Sequence, residues 1–252
     1  AKYIATSCAE VYKDARVYDT GMVTIIEIMG RHAGWLAGAA ALAGVVGCAP
    51  DLVYLPEVDF DMDKFLADVD RIYKEKGNCI AAVSEGIHYA DGSFVSEAKT
   101  SATDGFGHAQ LGGLAALLAQ VCKEKTGAKV RGIELSLLQR CGAHVASRTD
   151  IDESFLAGKT AVEAAVAGET DKMVGFECTR EGGKYVCQTK LFNLSEVANF
   201  EKKVPLEWIN AEHNGVTQAF IDYALPLIQG DAKAPTENSL PRFARLKKVL
   251  AK

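Results

Sequence analysis

Two arginines and one glutamate occupy matching places in this sequence. Arg31, Glu85 and Arg140 each come shortly after an apolar run that is rich in β-branched residues. The carboxyl ends of parallel strands lie at one edge of a sheet, so these three side chains could converge on one crevice. Guanidinium groups bind phosphate bidentately, and a carboxylate accepts hydrogen bonds from hydroxyls. The set predicts a sugar-phosphate site better than a nucleotide site; the alternative is that each residue forms an ordinary ion pair in a loop.

The turn at Met29, Gly30 and Arg31 separates a predicted strand from a predicted helix. Residues 23–28 are mostly apolar and β-branched, which indicates a strand buried on both faces. From Ala33 onward, small residues predict a helix that packs closely on the sheet. Free backbone N–H groups and the helix dipole favour an anion at such a junction, and the arginine adds positive charge. We therefore expect an anionic ligand here.

Strand and helix patterns alternate along the chain. We expect strands over 23–28, 52–55, 79–83 and 130–135, and a hairpin of 173–178 with 185–190. We expect helices over 1–17, 62–76, 110–125, 151–167 and 216–228, and a loop over 89–107. This order predicts an α/β fold with a Rossmann-like, mostly parallel sheet and helices on both faces. One domain would cover residues 1–230, followed by a polar and then basic tail over 231–252.

Composition excludes several classes of protein. With 252 residues, 48% of them hydrophobic, the chain can bury a real core. A net charge of -5 argues against a nucleic-acid binder, and the longest apolar run is too short to span a bilayer. The seven cysteines form no CxxC pair or Cys/His cluster, so we predict no metal site in the chain and a reducing cytoplasm. The GxGxxG fingerprint is absent, which disfavours a dinucleotide-dependent oxidoreductase.

The first residues already show helical apolar spacing, without an initiator methionine. We interpret the chain as a piece of a longer protein. The alternative is a whole protein from which the methionine was trimmed.

The sequence resembles the C-terminal half of the phosphofructokinase family, most closely its pyrophosphate-dependent branch. The resemblance runs from residue 1 to beyond residue 168, in order and with matching spacing. Its motifs are Ile28-Met29-Gly30-Arg31-His32-Ala33-Gly34-Trp35, Pro56-Glu57, Ser84-Glu85-Gly86, Gln110-Leu111-Gly112-Gly113, Arg131 and Gln139-Arg140.

The resemblance implies roles for the matched residues. Met29 and Gly30 would line a fructose 6-phosphate site. Arg31 would contact the substrate and act as the catalytic residue by stabilising charge on the transferred phosphoryl group, which is mainly positioning and electrostatics. Glu85 would bind sugar hydroxyls. Arg131 and Arg140 would bind the 6-phosphate, and Arg131 could be supplied to a neighbouring subunit.

The resemblance also implies what this chain lacks. The family's donor loop, its Gly-Gly-Asp motif and its Thr-Ile-Asp-Asn-Asp base motif lie upstream of the matched region. We therefore expect Mg²⁺ and the donor, pyrophosphate or ATP, to be bound by an N-terminal half that is absent here. Leu137 and Met22 stand where ATP-using relatives carry a phosphate-binding histidine and an arginine. Either the 6-phosphate is then held differently from the way those relatives hold it, or the missing cations come from elsewhere.

The expected activity is phosphoryl transfer to the 1-hydroxyl of fructose 6-phosphate in glycolysis, by a 6-phosphofructokinase that is a homo-oligomer. The isolated chain would be inactive. The alternative is a non-catalytic regulatory subunit or sensor that binds a sugar phosphate, because the base and the donor loop are missing.

Overall fold

A four-stranded parallel sheet forms the centre of the protein. The structure is a computed structural model and describes residues 1–17, 19–96 and 113–250. The strands are β1 Met22–Ile28, β2 Leu52–Tyr54, β3 Asn78–Ser84 and β4 Lys129–Glu134, in the order β2-β3-β1-β4. All three strand pairs are parallel. The predicted α/β class and the four sheet strands are confirmed.

Helices cover both faces of the sheet, as the sequence predicts. One face packs against α1 Lys2–Asp14, and the other packs against α3 Met62–Lys76 and α4 Leu114–Thr126. The seven residues of β1 are all buried because this strand is central and is covered on both sides. Its apolar side chains alternate between the two cores: Ile26 and Ile28 face α1, while Val23 and Ile25 face α3 and α4. The parallel sheet therefore requires the continuous apolar run seen in the sequence.

The segment after β1 differs from the long helix that the sequence predicts. A single helical turn, α2 Trp35–Gly38, is followed by a 3-10 helix over Ala39–Val46. Gly38 approaches Phe220 so closely that an added Cβ would lie 2.5 Å from its ring. Glycine has a low helix propensity, and Gly38 allows this segment to pack closely against Phe220. Both features disfavour one long, regular α-helix here.

The second half of the chain leaves the sheet. Its α-helices are α5 Leu138–Cys141, α6 Arg148–Val166, α7 Leu194–Val197 and α8 Gln218–Ala224. Its strands form two antiparallel hairpins, β5 Lys172–Thr179 with β6 Val186–Asn193, and β7 Thr236–Glu237 with β8 Leu240–Pro241. The predicted hairpin and the helix at 151–167 are confirmed. Helix α6 has no buried residue, and Phe155 on it is 74% exposed. The domain limits at residue 230 stay a prediction.

Two predicted elements lie partly outside the described residues. These are the loop over 89–107 and the start of the helix over 110–125, of which α4 is the described part. Among the described helices, none combines the length and the apolar character needed to cross a bilayer.

Candidate active site

The carboxyl ends of three strands lie level with one another. Ile28 of β1 is in register with Ser84 of β3, and Glu27 of β1 is in register with Glu134 of β4. The residues that follow these strands therefore leave the sheet at one edge. This register is the physical reason why residues that are far apart in sequence meet there.

The turn after β1 is held by side chains from the turns that follow the two neighbouring strands. The Gly30 N–H donates to Glu85 Oε1 over 3.2 Å, and the Met29 N–H donates to Gln139 Oε1 over 3.1 Å. The Glu85 N–H in turn donates to the Ile28 carbonyl over 2.8 Å. Glu85 thus fixes the turn through both its backbone and its side chain. Its second carboxylate oxygen has lone pairs that could accept hydrogen bonds from hydroxyl groups.

Arg31 lies at the tip of this turn in an uncommon backbone conformation. Its φ of 42° is in the left-handed region, where residues other than glycine are infrequent. The turn is closed by a hydrogen bond of 2.9 Å from the Ala33 N–H to the Gly30 carbonyl. Such conformations persist where the surroundings enforce them, and they are concentrated at functional sites. Here the surroundings include Gly86, where an added Cβ would lie 1.5 Å from the Arg31 carbonyl oxygen.

Replacing Gly86 with alanine is expected to displace the Arg31 turn. The clash is with backbone, so no side-chain rotation relieves it. We expect the free energy of unfolding to fall by about 2 kcal/mol or more. Denaturant unfolding measures the effect. The control is Gly158→Ala, where the new Cβ meets no atom within 4 Å. Gly158→Ala should stabilise helix α6 by about 0.5–1 kcal/mol. A Gly86→Ala variant as stable as the wild type would contradict the account.

Gln139 joins the turn after β1 to the turn after β4. While its Oε1 accepts from Met29, its Nε2 donates to the Ser136 carbonyl over 3.1 Å. Ser136 also has a left-handed φ, 44°. The next residue, Arg140, is exposed and borders a cleft of about 740 Å³ that is also lined by Gln139 and Leu36. Arg140 therefore directly follows the residue whose side chain holds the Met29 N–H, and Arg140 itself borders the cleft.

Arg131 lies away from these residues. It pairs with Thr24 in the middle of the sheet, below the carboxyl edge. Its guanidinium is 3.4 Å from the carboxylate of Asp14, at the end of α1. Within one protomer, Arg131 therefore does not join Met29, Gly30, Arg31, Glu85 and Arg140. A role toward a neighbouring subunit stays a prediction.

Glu27 is a buried acid beneath the site that the sequence analysis did not single out. It is 2% exposed, and its Oε2 accepts from the Ala115 N–H at the start of α4 over 2.8 Å. Burial raises the pKa of this carboxyl, and the nearby acids Glu134 and Glu85 raise it further. A charged residue inside an apolar strand was the signal that could have identified it.

The raised pKa makes protein stability depend on pH. The folded state holds the Glu27 proton more tightly than the unfolded state, so the contribution of Glu27 to stability is fully present at pH below about 4.5 and is lost as pH rises through the folded pKa. Glu27→Gln removes this dependence while keeping an acceptor for Ala115. We expect the variant to gain stability relative to the wild type between pH 4 and pH 7, as measured by denaturant unfolding. A difference that stays constant over this range would contradict the assignment.

Glu57 anchors the start of α2. Its Oε1 accepts from the Gly34 N–H over 2.8 Å and from the Val204 N–H over 2.9 Å. An added Cβ at Gly34 would lie 2.6 Å from Glu57 Oε2. This glutamate therefore positions the backbone through Oε1, whereas its Oε2 is buried and has no hydrogen-bond partner among the described residues.

The acids near the turn do not fit a Mg²⁺ site. Mg²⁺ needs converging oxygen ligands, whereas Glu27, Glu57 and Glu85 each accept hydrogen bonds from backbone N–H groups. Within residues 1–17, 19–96 and 113–250, no cluster of three or more His, Cys, Asp or Glu could hold a metal ion.

The site coincides with the region that a known family matches. The family model described as "Phosphofructokinase" matches residues 1–173. A pyrophosphate–fructose 6-phosphate 1-phosphotransferase of Halomonas elongata is 41% identical over 98% of the chain, and one of Xanthomonas campestris is 42% identical over 99%. The chain spans 59% and 60% of the length of these two relatives.

A solved structure has the same fold. The pyrophosphate-dependent phosphofructokinase of Marinobacter aquaeolei is 37% identical and superposes with a TM-score of 0.85, covering 100% of this chain and 59% of its own. The overall fold and the family model agree. The chain belongs to the phosphofructokinase family.

Proposed function

We propose that this chain supplies the sugar-phosphate-binding part of an enzyme that transfers a phosphoryl group from pyrophosphate to the 1-hydroxyl of fructose 6-phosphate. The main observation in support of this proposal is the turn of Met29, Gly30 and Arg31. Glu85 and Gln139 hold this turn by hydrogen bonds at the carboxyl edge of the sheet. The relatives named as pyrophosphate-dependent match nearly the whole chain, which supports the same donor.

Each residue of the turn has a chemical task in this proposal. The Arg31 guanidinium stabilises negative charge on the phosphoryl group during transfer, and Arg140 binds the sugar phosphate from the neighbouring turn. Glu85 accepts hydrogen bonds from sugar hydroxyls through the lone pairs that Gly30 does not use. Catalysis therefore rests on orientation and on fixed charge, which is what phosphoryl transfer requires.

The donor site, the base and the Mg²⁺ ligands are proposed to lie in residues that the relatives carry beyond the length of this chain. Mg²⁺ would supply charge neutralisation on the donor phosphates. We further propose that the complete enzyme, meaning this chain together with those residues, is a homo-oligomer in the cytoplasm. The seven free cysteines support a reducing compartment.

The test combines the chain with the residues that the relatives carry in addition. A fusion or co-expression with the additional segment of the Halomonas elongata relative is assayed for fructose 1,6-bisphosphate formation, with pyrophosphate and with ATP. We expect turnover with pyrophosphate. Turnover with ATP alone would overturn the donor assignment. Tight binding of fructose 6-phosphate without turnover would favour the regulatory sensor.

A further inference from the structure

Two cysteines face each other across the hairpin of β5 and β6. Cys178 and Cys187 are direct partners in the antiparallel register. Directly opposed residues of such pairs have Cα atoms about 4.5–5.5 Å apart. A disulfide needs a Cα separation of about 4.4–6.8 Å. Both thiols are free, and their register suits the backbone separation that a disulfide needs.

The surroundings allow a small reagent to reach this pair. Both cysteines are half-buried, and Cys187 and Tyr185 line an open pocket of about 290 Å³ beside helix α6. The Tyr185 hydroxyl is 3.3 Å from Cys178 Sγ. Asp152 and Glu153 of α6 line the same pocket, and the Arg180 guanidinium lies 5.4 Å from the centre of the Tyr185 ring.

The other five cysteines offer no comparable site. Four are buried in the cores, and Cys141 is exposed on α5. No strand partner stands opposite Cys141 in the described sheets. The four buried cysteines are Cys8, Cys48, Cys79 and Cys122. The strand register and the access for a small reagent therefore distinguish Cys178 and Cys187 from the other cysteines.

We propose that Cys178 and Cys187 form a reversible redox modification site that closes to a cross-strand disulfide when it meets a small disulfide such as oxidised glutathione. The thiolate of one cysteine attacks the small disulfide, forms a mixed disulfide and releases one reduced thiol. The second cysteine loses its proton and attacks the mixed disulfide, which releases the second thiol. The protein loses two protons and two electrons, and both electrons reduce the small disulfide. An excess of reduced thiol reverses the reaction.

The environment sets the speed of closure. Burial raises the pKa of the Cys187 thiol to about 12, and the contact with Cys178 and the charge of Glu153 also raise it. Since the thiolate is the attacking species, closure should be slow at pH 7 and markedly faster at pH 9.

The test uses the whole chain and oxidised glutathione as the probe. After incubation at pH 7 and pH 9, free thiols are blocked and the protein is cut with trypsin. Cleavage after Arg180 and Lys184 separates the two cysteines into the peptides 173–180 and 185–190. We expect these two peptides to be joined, with faster joining at pH 9, and to separate after treatment with dithiothreitol.

Matched variants show whether the disulfide forms specifically between Cys178 and Cys187 or reflects general reactivity of the thiols. Cys178→Ser and Cys187→Ser should each abolish the joined peptide, whereas Cys141→Ser should leave it unchanged. Because the wild-type digest is itself decisive, a variant that folds poorly does not obscure the answer. Glutathione adducts on both cysteines without a joined peptide would overturn the proposal. So would joining that is equally fast in urea, where the register is lost.

Discussion

On the proposed function, replacing Arg31 with alanine should lower the kcat of the complete enzyme about 1000-fold, while the KM for fructose 6-phosphate changes much less. The reason is that charge accumulates on the phosphoryl group in the transition state, where a fixed guanidinium contributes most. An effect confined to kcat identifies an interaction made in the transition state and not in the ground state. Steady-state kinetics over both substrates measure it.

Replacing Arg31 with lysine shows how much of the rate depends on positive charge and how much depends on the shape of the guanidinium group. Lys keeps the positive charge but loses the planar fork of donors, so Arg31→Lys should recover only part of the lost rate. The variants must keep the wild-type free energy of unfolding for the comparison to hold. If Arg31→Ala raised KM and left kcat unchanged, the catalytic assignment would be wrong and Arg31 would be a binding residue.

Replacing Arg140 with alanine should produce the opposite pattern. We expect the KM for fructose 6-phosphate to rise about 10- to 100-fold with kcat nearly unchanged, because hydrogen bonds to a charged group contribute about 1.5–3 kcal/mol. Arg140 is exposed beside the cleft and makes no ion pair shorter than 4 Å within the described residues, so its removal should leave stability almost unaltered.

A second arginine provides the control for Arg140. Arg71 is also exposed, but it pairs with Asp68 and Glu75 on its own helix. Arg71→Ala should leave both kinetic constants unchanged. Equal KM values for Arg140→Ala and the wild type would remove Arg140 from the site.

Much of the fold could be predicted because each buried element has a simple period. The continuous apolar run of β1 follows from burial on both faces, and helix α3 follows from one apolar face that contains Phe65, Val69 and Ile72. Gly77 ends this helix with a left-handed φ of 74°, which is the usual task of glycine at that position. Local patterns of this kind need no knowledge of distant residues.

The connections within the site could not be predicted in this way. Gln139 reaches the Met29 N–H across 110 residues, and no local pattern records that contact. The same holds for Gly86. Only glycine fits at this position because the Arg31 carbonyl occupies the space of a Cβ, and no local pattern shows where that carbonyl lies. Arg131 is a residue that the sequence predicts at the site but that lies away from the turn within one protomer. Its residue type fits a phosphate site, but its position in the middle of β4 places it beside Asp14.

The parallel register explains why the predicted neighbours nevertheless lie close together. Once β1, β3 and β4 are aligned at their carboxyl ends, Gly30 and Glu85 must come within hydrogen-bonding distance. The strand pattern was enough to predict this edge. The sequence could not reveal which side chain would hold which N–H group.

The crystal structure of the complete enzyme with fructose 6-phosphate tests the central claim most directly. We expect the sugar to contact the turn of Met29, Gly30 and Arg31. Its hydroxyls should donate hydrogen bonds to Glu85, and its phosphate should lie within reach of Arg140. A sugar phosphate bound elsewhere, with these side chains turned away from it, would contradict the account.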